Sequence, residues 1–148
     1  MKTLIQYINE SNNTPTNVRE LAKIIKDECS KNGWECDLNH IDISKMTRLD
    51  NLFTMIYGLS EFNGDISKWD VSNVTNMSGM FAGSKFTGKN GDISNWDVSN
   101  VRNMARMFAD SKFEGDITKW DTSSAVDLRY MFDKCPLENK KPDWYADK

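Results

Sequence analysis

Apolar residues recur along this chain in a fixed register. Gly64-Asp65-Ile66-Ser67-Lys68-Trp69-Asp70-Val71-Ser72-Asn73-Val74 is followed by Met77, Met80 and Phe81. The same order returns from Gly91 through Val101 with Met104, Met107 and Phe108, and from Gly115 through Ser123 with Leu128, Met131 and Phe132. A degenerate copy precedes them, with Cys36-Asp37-Leu38, Ile41-Asp42-Ile43-Ser44, Leu49, Leu52 and Phe53 in the matching places. The copies are offset by 28, 27 and 24 residues because the connectors after Phe53, Phe81 and Phe108 hold 10, 9 and 6 residues. Phe62, Phe86 and Phe113 add a further apolar position within those connectors.

Each copy predicts two elements. Trp69 and Val71 alternate with Asp70 and Ser72, the period of a short strand. Val74, Met77, Met80 and Phe81 fall at i, i+3, i+6 and i+7, an apolar helical stripe that Ser72 or Asn73 would cap. Asn63-Gly64 and Asn90-Gly91 are turn dipeptides. One repeat is therefore expected to be a turn, a short strand and a short helix, unable to bury its apolar face without a neighbour. The expected fold class is α/β: a four-repeat solenoid over residues 36–135. Residues 1–35 read as an N-terminal helical cap and residues 136–148 as a C-terminal cap or tail, all in one domain. In the cap, Leu4, Ile5 and Ile8 fit a first short helix. Asn17-Val18-Arg19-Glu20 fits a capping box, opening a second helix that buries Val18, Leu21, Ala22, Ile25 and Cys29 and stops at Gly33. Trp144 and Tyr145 either fold back on the last repeat or meet a partner; burial is the favoured reading.

The tryptophan-aspartate-hydrophobic-serine-asparagine-hydrophobic run with a methionine-phenylalanine pair stands here as Trp69 to Val74 with Met80-Phe81. It stands again as Trp96 to Val101 with Met107-Phe108, and more loosely as Trp120 to Ala125 with Met131-Phe132. These residues resemble the BspA-like leucine-rich repeats, a bacterial and mycoplasma surface-protein repeat of about 25 residues. The resemblance covers residues 36–135. It implies a right-handed, leucine-rich-repeat-like solenoid used for binding, often in secreted adhesins, and it brings no catalytic residues and no cofactor.

Composition narrows the function classes. Net charge is −3, from 19 basic and 22 acidic residues, and neither half of the chain forms a basic footprint for nucleic acid. No stretch approaches the roughly 20 apolar residues of a membrane span. Gln6 and Asn9-Glu10 interrupt the short apolar run near the start, so it does not read as a signal peptide. A cytoplasmic protein, bacterial or phage-encoded, is expected. Cys29, Cys36 and Cys135 are odd in number, lack metal-ligand spacing and read as reduced thiols. The single histidine, His40, argues against histidine-based catalysis and against multi-histidine metal sites.

Two aspartate ladders are the most conspicuous chemistry: Asp42, Asp70, Asp97 and Asp121, and Asp37, Asp65, Asp92 and Asp116. Carboxylates in pairs suit calcium or glycoside hydrolysis. Their regular recurrence favours a structural role at turns, where Asp accepts backbone N–H groups. The repeated tryptophans and methionines read as core, and Cys135 aligns with Ser84 and Ser111 as a small packed residue. Partner choice must then come from columns that vary between copies. Arg102 shares a column with Thr47, Thr75 and Val126; Arg129 with Asp50, Ser78 and Ala105; Arg106 and Tyr130 with Asn51 and Gly79. Arg102 and Arg106, i and i+4 on one expected helix, join Arg129 and Tyr130 as the candidate partner-binding face. The alternative is a strand face of His40, Lys68, Asn95 and Lys119. The connector Thr54 to Glu61 is apolar, either a protruding loop or, preferably, buried.

No residue set reads as catalytic, metal-binding or cofactor-binding. The expected function is a non-catalytic protein–protein interaction module with a partner surface that is acidic or of mixed charge, not nucleic acid and not membrane. A phage- or plasmid-encoded inhibitor of a host protein is one concrete version. The alternative is a surface adhesin fragment or a virion structural or decoration protein.

Overall fold

Three hydrogen-bonded corners shape each repeat, and all three have the same five-residue plan. In the first, the Asp65 carboxylate accepts the Ser67 N–H at 2.9 Å, and the Ile66 carbonyl accepts the Trp69 N–H at 3.1 Å. Asp70 then accepts from Ser72 while Val71 accepts from Val74, and Asn76 accepts from Ser78 while Met77 accepts from Met80. Asp92, Asp97 and Asn103 head the three corners of the next repeat, and Asp116, Asp121 and Asp127 those of the last. The first repeat follows the plan at Asp37 and Asp42; its third corner, Leu49 to Leu52, keeps the backbone turn, with Arg48 at its head. Each unit is an Asx turn joined to a β-turn, which aims its two apolar residues, three apart, into the core.

This computed structural model describes residues 1–4 and 13–146. Two described segments are helical, α1 (Val18–Asn32) and the short α2 (Asp143–Ala146), besides the single residue Leu4. The expected α/β leucine-rich-repeat-like solenoid of short strands and short helices is therefore overturned. Among the described residues no sheet forms, and β pairing is limited to isolated parallel bridges, Asp37 to Asp65, Arg48 to Asn76, Asn76 to Asn103 and Asn103 to Asp127. The physical reason lies in the corners. An apolar residue at i and another at i+3 satisfy a helix stripe and a β-turn equally. Here the Asx side chain at i−1 takes the N–H at i+1 and tips the chain into the turn. The expected strand alternation at Trp69 and Val71 is the seam between two such units.

Neighbouring repeats lie in register. Thr75 N–H donates to the Thr47 carbonyl, Arg102 N–H to Thr75 and Val126 N–H to Arg102, each at 2.8 Å. In the other direction Phe53, Phe81 and Phe108 donate to the carbonyls of Met80, Met107 and Met131. Recurrent glycines permit this approach: a Cβ on Gly64 would overlap the Cys36 carbonyl oxygen, and one on Gly91 would fall 2.9 Å from the Asp65 Cα.

The core is an aromatic stack. Phe53 faces Phe81 at 5.3 Å and Phe81 faces Phe108 at 5.6 Å, with planes within 3° of parallel. Within each repeat the connector phenylalanine stacks on the same column, at 4.6, 4.4 and 4.1 Å for Phe62, Phe86 and Phe113. Tryptophan indoles close the other side, each donating to a carbonyl of the preceding repeat: Trp69 to Leu38, Trp96 to Ile66 and Trp120 to Ile93. Trp144 continues the series by donating to Ile117 at 3.0 Å, and Tyr145 meets Phe132 edge-on at 5.1 Å. The C-terminal aromatics thus fold back onto the last repeat. Ser84, Ser111 and Cys135 fill one buried column, as their alignment implies.

At the other end α1 covers the first repeat through Leu21, Ala22, Ile25 and Cys29, with Val18 partly buried. Asn17 caps it by accepting the Glu20 N–H at 3.0 Å. The reciprocal bond of the expected capping box is shifted by one residue: the Glu20 carboxylate accepts the Thr16 N–H and hydroxyl. Those bonds, the backbone one foremost, hold the Glu20 carboxyl below its ordinary range. Gly33, at φ 87°, ends the helix. The expected first short helix rests on Ile5 and Ile8, which lie outside the described residues; Leu4 is exposed.

Candidate functional site

The aspartate ladders come first, because their carboxylates are already engaged. Ser44, Ser72 and Ser99 donate both N–H and hydroxyl to Asp42, Asp70 and Asp97. Those hydroxyl bonds hold the Asp42 and Asp70 carboxyls below the ordinary range, and the Thr118 hydroxyl does the same for Asp116. At Asp65, burial pushes the carboxyl up, but the Ser67 N–H and hydroxyl, the Asn39 side chain and the charge of Lys68 together outweigh it and the net shift is downward. Among the described residues no three Asp, Glu, His or Cys side chains gather as a metal site.

The four residues of the candidate face do not share a helix. Between Arg102 and Arg106 runs the Asn103 corner, where Asn103 accepts the Ala105 N–H at 3.0 Å. Arg106 instead lies beside the next repeat. Its N–H donates to the Arg129 carbonyl at 2.9 Å, and its guanidinium carbon sits 5.0 Å from the centre of the Tyr130 ring. The side chain of Arg129 is occupied: Nε and Nη2 clasp the two Asp127 oxygens at 3.0 and 2.9 Å. That fork brings the Asp127 carboxyl down to about 2. Arg48 clasps Asp50 in the same bidentate way with the order of the two residues reversed. Arg102 is exposed and makes no ion pair among the described residues, while its carbonyl accepts Val126 N–H.

Arg106 and Tyr130 also share a backbone state. Both sit in the left-handed region, at φ 57° and 59°, in the column that Asn51 and Gly79 occupy in the earlier repeats, at 57° and 62°. This conformation suits glycine and disfavours a bulky side chain. The column thus places an exposed arginine and a half-exposed tyrosine where the fold alone would take glycine. Near them a depression of about 310 Å3 opens between Val126, Leu128, Arg129 and Tyr145, with Val126 exposed at its rim.

His40, Lys68, Asn95 and Lys119 are all exposed, but they form no strand face. Each holds the fourth place of a corner headed by Asp37, Asp65, Asp92 or Asp116. His40 approaches Glu28 of α1 at 3.8 Å, beside a broad depression of about 940 Å3 that also takes in Lys23, Asp27 and Lys31. The favoured burial of the 54–61 connector fails at its tip: Thr54 and Leu59 are buried, but Met55 and Ile56 stand out at 83% and 71% exposure. A turn from the Met55 carbonyl to the Gly58 N–H holds that tip.

Among the described residues no helix is long and apolar enough to cross a membrane. The family profile described as "Mycoplasma protein of unknown function, DUF285" matches residues 16–145. No curated protein and no solved structure matches the chain.

Proposed function

The chain belongs to the DUF285 family, and from that premise we propose that it is a non-catalytic protein-binding module. The observation that carries this reading is the pairing of Arg106 with Tyr130 at left-handed positions. Exposed residues held in a disfavoured backbone state mark places where function outweighs stability. Arginine and tyrosine are the residue types that anchor interfaces, the first through its planar donor fork and the second through rigid apolar area. Asp127 already neutralises Arg129, so among the described residues the charges of the face without an ion pair are those of Arg102 and Arg106. They favour a partner patch carrying carboxylates, of acidic or mixed charge. The engaged aspartate ladders support the non-catalytic part of the reading. The tryptophan-aspartate and methionine-phenylalanine motifs support a kinship of sequence with the BspA-like repeats. We place the protein in the cytoplasm, where a host protein, inhibited by coverage, is the partner we favour.

Affinity capture with the whole chain, followed by mass spectrometry, tests this against an Arg102→Glu, Arg106→Glu double variant. The expected result is a specific partner bound by the parent and weakened at least tenfold by the variant, with equal melting midpoints. Equal capture by both would move the interface to the column of His40, Lys68, Asn95 and Lys119.

A further inference from the structure

Cys29 and Cys36 bring their sulfur atoms to 3.3 Å at the junction of α1 with the first repeat. Cys29 closes the buried stripe of α1 and is 3% exposed, whereas Cys36 is half-buried. The turn that ends the helix delivers one thiol to the other. Gly33 donates its N–H to the Cys29 carbonyl at 2.9 Å, and its own carbonyl accepts the Cys36 N–H at 3.3 Å. Cys135 is buried in its own column with Ser84 and Ser111. Two sulfurs at 3.3 Å are in van der Waals contact, and a disulfide bond is about 2.0 Å long, so closure requires the sulfurs to approach by about 1.3 Å.

We propose that Cys29 and Cys36 form a dithiol site that exchanges with small soluble disulfides of the glutathione-disulfide class to give an intramolecular disulfide. The more exposed Cys36 reacts first. Its thiolate attacks one sulfur of the oxidant, forming a mixed disulfide and expelling one small thiolate. Cys29 then releases its proton to solvent and attacks the Cys36 sulfur, breaking the mixed disulfide and expelling the second small thiolate, which takes up a proton. The protein loses two protons and two electrons, and the oxidant, taking up both pairs, is reduced to two thiols. Burial pushes the Cys29 thiol up, which reserves it for the second, intramolecular step. The product ties the last turn of α1 to Asp37, whose bridge to Asp65 starts the array.

The test incubates the whole chain with glutathione disulfide, then alkylates it and maps the peptides by mass spectrometry. The expected product is lighter by two hydrogens, joins the Cys29 and Cys36 peptides and keeps one alkylatable thiol, Cys135. Its melting midpoint rises by about 5 °C and returns with dithiothreitol. Cys29→Ser traps glutathione on Cys36. Three alkylatable thiols in the folded, equilibrated parent would overturn the proposal, as would a lasting glutathione adduct on Cys36 of the parent. Should Cys29→Ser not fold, Cys36→Ser serves: a cross-link formed there between Cys29 and Cys135 would equally overturn it.

Discussion

The indole N–H of Trp144 donates to the Ile117 carbonyl at 3.0 Å, the bond that Trp120 makes to Ile93 one repeat earlier. A residue of the C-terminal tail thus does the work of the next repeat. It also stands 6.2 Å from Phe132, as Trp120 does from Phe108. Trp144→Ala is expected to destabilise the chain by about 2 kcal/mol, less than a fully buried tryptophan because this one is half-exposed. Trp144→Phe keeps a ring and loses the hydrogen bond, for about 1 kcal/mol. Urea unfolding of both variants measures the order; a Trp144→Ala curve superposed on the parent would show that the tail does not dock in solution.

The middle repeat offers a clean trial of the corner plan. Asp97→Ala removes the acceptor of the Ser99 N–H and hydroxyl and is expected to cost about 1 kcal/mol. Asp97→Asn keeps an acceptor oxygen, and Asn103 already serves at a corner of the same repeat, so the loss is about half as large or less. Thermal melting followed by circular dichroism compares the two. Equal losses in both variants would mean that charge, not turn geometry, is what these aspartates supply.

Gly83, Asp110 and Lys134 form a second left-handed column, at φ 67°, 56° and 53°. A Cβ on Gly83 would meet nothing within 4 Å, so backbone strain alone decides the substitution there. Gly83→Ala is expected to lose about 1 kcal/mol, and Lys134→Gly to gain about 0.5 kcal/mol after the added freedom of the unfolded glycine. Calorimetric midpoints should move in opposite directions; a shift of the same sign in both would contradict the assignment.

Acid should weaken the fold in a defined window. The Asp42, Asp65, Asp70, Asp116 and Asp127 carboxyls titrate below their ordinary range when folded. Groups lowered on folding stabilise above the unfolded value, about 4, and that contribution disappears as the pH falls through the folded values. Exposure keeps each contribution small. The melting midpoint is therefore expected to hold from about pH 7 to 5 and to fall between about pH 4 and 2. Calorimetry across that range checks it, and a midpoint unchanged at the acid end would show that these turns carry no net stabilisation.

Much of this arrangement was legible in the amino-acid order. The register, the buried Trp, Met and Phe columns and the place of Cys135 beside Ser84 and Ser111 follow from repetition, because burial imposes the same residue types on each copy. Secondary structure was not, since apolar spacing of three does not distinguish a helix from a chain of turns. The deciding cue was the Asp or Asn just before each apolar pair, as at Asp65, Asp70 and Asn76. Trp144 follows Trp120 by 24 residues, as Trp120 follows Trp96, but Pro142 and the divergent neighbours masked that spacing. For the candidate face, Asn51 and Gly79 in the column of Arg106 already hinted at a left-handed backbone. The cation–π pair and the Asp127–Arg129 fork depend on side-chain placement that only the folded turns set.

The connector turns that absorb the differences in repeat length leave the backbone bonds between layers at almost constant separation along the chain: 28 residues from Thr47 to Thr75, 27 to Arg102 and 24 to Val126. Loop closure depends only weakly on length, so each layer meets nearly the same entropic barrier when it adds to the one before. That barrier does not grow with the number of layers, and ordering can spread from any formed pair. Folding speed should then track the formation of one seam between neighbours and not the full length of the chain.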